Sequence, residues 1–90
     1  MKAKSRNSIL EELADDPADA MQLRLKSKLM NAIIDYIDEG ELTQSAAAKI
    51  MLVQRTRVND VCNGRIDKMT IDALVAMAAR LGLDPLQSAA

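Results

Sequence analysis

On a wheel of roughly 100° per residue, Met21, Leu25, Leu29, Ala32, Ile33 and Tyr36 form one apolar stripe and Leu23, Met30, Ile34 and Ile37 form a second. Arg24, Ser27, Lys28, Asn31, Asp35 and Asp38 take up the rest of the circumference and face water. This pattern predicts one long helix. Asp16 is its expected N-cap, Pro17 sits where a missing N–H costs nothing, Asp19 lies near the positive end of the helix dipole, and Gly40 is the expected stop. The two stripes together are wider than a single packing surface needs. Either a short helix over about 9–14, introduced by the capping-box spacing of Ser8-Ile9-Leu10-Glu11, covers the second stripe, or a second copy of the chain does. Both explanations stand at this level.

Thr43 is the next N-cap candidate and opens a helix over about 44–51. A turn at Leu52-Val53 leads to a helix over about 55–63, which Gly64 ends. Thr70 caps a last helix from Ile71 to Leu81, with Ala73, Leu74, Met77, Ala78 and Leu81 inward and Gly82 at its C-terminal cap. The expected fold is therefore all-α, a compact bundle of about five helices. Residues 1–16 form a tail with a short helix, 17–84 the domain, and 85–90 a second tail.

A chain of 90 residues encloses one modest core. Its apolar set is Leu, Ile, Val, Ala and Met, with Tyr36 as the single aromatic residue, a mixture that favours helices over strands. No apolar run approaches the roughly 18–20 residues that span a bilayer. Glu11 and Glu12 stand where a signal peptide needs its apolar segment, so no membrane partner and a cytoplasmic location are expected. Cys62 is the only cysteine and histidine is absent, which leaves no internal disulfide and no Cys/His zinc site. Without histidine the commonest acid–base catalyst at neutral pH is missing too. No cofactor, no metal and no enzymatic activity are expected.

Net charge is -1, but its distribution is uneven. Residues 1–40 hold six basic and eight acidic side chains, 41–69 hold five and three, and 70–90 hold one and two. Only the middle segment is net positive, through Lys49, Arg55, Arg57, Arg65 and Lys68. A local basic patch on a near-neutral body suits a specific duplex binder.

That segment also has the packing pattern of a helix-turn-helix over 43–63. Two short helices must cross closely if the second is to protrude into a groove about 12 Å wide. Ala47 and Ala48 permit the approach, Met51 and Val53 plug the corner, and Val58, Val61 and Cys62 return the second helix to the core. The wheel then sends Thr56, Asn59, Asp60 and Asn63 outward. Arg55 lies nearer the buried arc, but its long side chain in the first turn reaches forward. Arg55 or Arg57 has the donor fork for guanine O6 and N7, and Asn59 the amide for adenine N6 and N7. Asp60 has two roles open to it, accepting from a cytosine amino group or holding Arg57 in one rotamer, and the second is favoured.

From Leu42-Thr43-Gln44 through Asn63-Gly64-Arg65 and on to Leu83, the chain resembles the lambda-repressor-like "XRE" class of DNA-binding domains, and more closely the small XRE-type regulators and HigA-type antitoxins. The resemblance implies that Thr43 and Gln44 hold a DNA phosphate. It also implies that Arg55, Thr56, Asn59 and Asp60 face base edges, and that Asn63 and Arg65 grip the backbone; Arg57 is placed among the backbone contacts by its own charge and position. The implied partners are an operator in double-stranded DNA, a second copy in a homodimer and, for an antitoxin that represses its own operon, a RelE-like toxin. The alternative reading is a helical protein-interaction module on the same scaffold without specific DNA binding. Two positions depart from the family pattern: Leu52 replaces a turn Gly and Gln54 replaces a Ser or Thr cap. A slightly remodelled turn is expected there.

Overall fold

Helix α1 spans Pro17–Glu39, and the Asp16 carboxylate caps it by accepting from the Asp19 N–H at 3.0 Å. The computed structural model describes residues 16–84. Among them, α2 (Gln44–Met51), α3 (Arg55–Cys62), a 3₁₀ turn (Ile66–Lys68) and α4 (Ile71–Arg80) follow α1, and there is no strand. Four α-helices thus stand where about five were expected. The expected short helix over 9–14 and the two tails lie outside the described residues, apart from Asp16 at the edge of the first.

Leu29, Met30, Ile33 and Ile37 of α1 meet Ala47, Ala48 and Met51 of α2, Val58 and Val61 of α3, and Leu74, Met77 and Ala78 of α4 in one core. The face of α1 that enters it runs between the two expected stripes. Leu29 and Ile33 come from the first, Met30 and Ile37 from the second. Met21, Leu25 and Tyr36 of the first stripe remain exposed, because α4 packs to one side of them. Met69 is almost fully buried although it belongs to no expected helix. Ile66 opens the 3₁₀ turn and Met69 follows it, a one-turn spacing that brings both inward.

All four α-helices end in the same way. A residue in the left-handed region follows each: Glu41 (φ 52°), Leu52 (φ 59°), Gly64 (φ 69°) and Gly82 (φ 84°). The next N–H then reaches back five residues, from Leu42 to Ile37 O, Val53 to Ala48 O, Arg65 to Asp60 O and Leu83 to Ala78 O, at 2.9–3.0 Å. Leu42, Val53 and Leu83 pack against the core as they turn. Gly40, the expected stop, is itself right-handed (φ −85°), and the residue after it takes the left-handed station. A Cβ at Gly40 would lie 3.2 Å from Tyr36 O, a tight contact, so what glycine offers there is space rather than dihedral freedom.

Candidate nucleic-acid interface

The Thr43 hydroxyl accepts from the Ala46 N–H at 3.0 Å and fixes the start of α2. Gln44 is the first residue of that helix, at the end where backbone N–H groups lack intrahelical partners. Ala47, Ala48, Met51, Val58 and Val61 are buried, so α2 and α3 cross at small side chains; Val53 and Cys62 are half-buried at the edge of the contact. Burial pushes the Cys62 thiol up from its ordinary 9.0, and the nearby Asp38 carboxylate adds to this. It stays protonated at neutral pH and acts as a small apolar side chain.

The turn between the helices is not remodelled. Leu52 itself occupies the left-handed station (φ 59°, ψ 43°) that glycine fills in the family pattern, with its side chain 72% exposed. Gln54 makes no side-chain cap to α3, as its weak capping chemistry leads one to expect. A contact invisible in the linear pattern holds the turn from behind. The Arg80 guanidinium, in the last turn of α4, donates to Met51 O at 3.1 Å.

Arg55, Thr56 and Arg57 are exposed in the first turn of α3. Arg55 thus points to solvent, away from the buried arc where the wheel placed it. Neither Arg55 nor Thr56 makes a side-chain hydrogen bond among the described residues. Arg57 does: its guanidinium folds back to donate to Lys68 O at 3.1 Å and lies 3.8 Å from Met69 Sδ. Asn59 and Asp60 are half-buried rather than fully outward. Asn59 Nδ2 reaches Gln44 Oε1 at 3.4 Å, and Asn59 Oδ1 accepts from Asn63 Nδ2 at 2.9 Å. A relay of three amides therefore runs from the head of α2 across the middle of α3 to its end.

The expected Asp60–Arg57 pair does not form. Asp60 instead holds Arg65, with Nη1 and Oδ1 3.0 Å apart. The reason lies in the end of α3: left-handed Gly64 swings Arg65 back over the last turn, and the backbone bond from Arg65 N–H to Asp60 O brings the two side chains together. Arg57, three residues before Asp60, meets the 3₁₀ turn first.

The surface built this way has a two-residue free head, Arg55 and Thr56, on a helix whose other polar groups are held in fixed rotamers. Lys49, Asn63, Arg65 and Lys68 lie exposed around it. Among the described residues no helix is long and apolar enough to cross a membrane. A family model described as a helix-turn-helix domain matches residues 9–85. No curated protein and no solved structure matches the chain. With the packed α2–turn–α3 unit and a family match over most of its length, the chain belongs to the helix-turn-helix domain family, a DNA-binding fold.

Proposed function

We propose that the chain is a sequence-specific regulator of transcription whose α3 enters the major groove of double-stranded DNA. The observation that carries this reading is the exposed and unengaged pair Arg55 and Thr56 at the head of α3, within the one net-basic segment. Arg55 is assigned the bidentate contact to guanine, with Thr56 beside it. Asn59 has both ends of its amide occupied, which favours a role in presenting Gln44 and Asn63 at fixed distances. Asp60 is assigned no phosphate-facing charge, since Arg65 offsets it.

Thr43 and Gln44 at the start of α2, with Asn63 and Arg65 after α3, bracket the groove as backbone contacts. Arg57 joins them through the 3₁₀ turn that it braces. The protein acts by binding rather than by catalysis, within the domain 17–84 and in the cytoplasm. One module of this size covers few base pairs, so a homodimer acting as repressor on a two-fold operator is part of the proposal. The resemblance to HigA-type regulators adds a RelE-like toxin as partner in the antitoxin version. A toxin that copurifies with the chain supports that version, and a chain purified alone from its native host removes it.

The test is a gel-shift screen of genomic fragments at physiological salt, followed by Arg55→Ala on the selected duplex. Arg55→Ala is expected to cost about 1–3 kcal/mol and to relax preference at one position. Binding that never exceeds that to random duplex removes the reading.

A further inference from the structure

The three amides of the relay are joined in one direction. Asn63 Nδ2 donates to Asn59 Oδ1 at 2.9 Å, and Asn59 Nδ2 donates to Gln44 Oε1 at 3.4 Å. Each side-chain amide carries two N–H donors on its nitrogen and an acceptor oxygen. The direction of the bonds therefore decides what each end has left. Gln44 has its oxygen turned toward α3 and both N–H groups of Nε2 without an acceptor among the described residues, whereas Asn63 keeps one N–H and its Oδ1. The opposite direction would turn the Gln44 oxygen outward. The difference matters at a DNA backbone, whose phosphate oxygens accept hydrogen bonds and offer none.

We propose that Asn59 is a positioning residue for phosphate binding by Gln44. It holds the Gln44 carbonyl toward α3 and so aims two donors at one phosphate. On the DNA-binding reading, which this assignment rests on, Asn59 thereby sets up the contact at the head of α2. Reading adenine directly would need Asn59 Oδ1 and Nδ2 together. Those are the two atoms that Asn63 and Gln44 engage, on a side chain that is half-buried. Base readout by α3 therefore falls to Arg55 and Thr56, which no side chain engages among the described residues. Asn63 supports the same arrangement from one helical turn on. By donating to Asn59 Oδ1 it fixes that amide so that Nδ2, and not the oxygen, faces Gln44.

The test is binding of the full chain to the duplex selected by the gel-shift screen, for wild type, Asn59→Ala, Gln44→Ala and the double variant. Asn59→Ala is expected to weaken binding about four- to tenfold, the worth of one hydrogen bond. The ranking of duplexes with single base-pair changes should stay as in wild type. In the Gln44→Ala background the same change should cost less than about twofold. Duplexes that each carry one neutral methylphosphonate give a readout that a purely structural role of Asn59 would not move. On the duplex whose replaced phosphate leaves Gln44→Ala binding unchanged, Asn59→Ala and wild type should bind alike. Equal losses in both Gln44 backgrounds, or a preference lost at one base pair, overturn the proposal and leave the DNA-binding reading standing. Binding that never exceeds that to random duplex removes both. If Asn59→Ala lowers the urea midpoint, Asn59→Ser is used under the same criteria.

Discussion

Leu52 keeps a left-handed backbone (φ 59°) while its side chain is 72% exposed, so it bears a steric penalty of about 1–2 kcal/mol with little packing in return. Leu52→Gly relieves that penalty and gives back part of it as unfolded-chain entropy. A net gain of about 0.5–1 kcal/mol is expected, read as a higher urea midpoint with unchanged slope. Gly64 holds the equivalent station after α3 (φ 69°) with no atom within 4 Å of an added Cβ. Gly64→Ala should therefore lose about 1–2 kcal/mol through the dihedral alone. A destabilised Leu52→Gly would show that the exposed leucine packs in solution. The identity of both residues was plain in the sequence. Which residue takes the left-handed station at the end of α1 was not, because Gly40 invites the assignment that Glu41 holds.

The two threonine caps sit on different elements with different neighbours. Thr43 starts α2 at the edge of the proposed interface, and Thr70 starts α4 behind it; each accepts one backbone N–H at 3.0–3.1 Å. Thr43→Ala and Thr70→Ala should each lose about 1 kcal/mol of stability, and only Thr43→Ala should also weaken operator binding. Equal effects of both on DNA would mean that Thr43 acts by folding alone. Arg80 makes a third test of element coupling. Its bond to Met51 O ties the end of α4 to the end of α2, and Arg80→Ala is expected to cost about 1–2 kcal/mol in urea denaturation. The helices themselves were legible from their caps and apolar spacing, down to Gln44–Met51. Arg80's role was not, because its partner lies 29 residues away and is a backbone carbonyl of no particular residue type.

At the scale of the molecule, charge decides how duplex binding should respond to salt. Five basic residues fall in 41–69 against a net charge of -1 for the chain. At about 0.9 per neutralised phosphate, the log–log salt slope is expected to stay within roughly −4.5 per protomer, and about twice that for a dimer. A steeper slope would place cations from outside this segment on the DNA. In a competent dimer the two α3 helices should lie roughly 34–36 Å apart, which a structure of the assembly on its operator measures.

The sequence by itself determined the all-helical architecture, the helix starts at Asp16, Thr43 and Thr70, and the small residues that let α2 and α3 cross. Each of these follows from capping chemistry and side-chain size within a few neighbouring positions. Only the tertiary structure decided that Asp60 pairs with Arg65, that Arg57 braces Lys68, and that the core takes the seam between two stripes of α1. Those outcomes depend on where left-handed turns aim the chain and on which helix arrives alongside, and helical spacing within a single element contains neither.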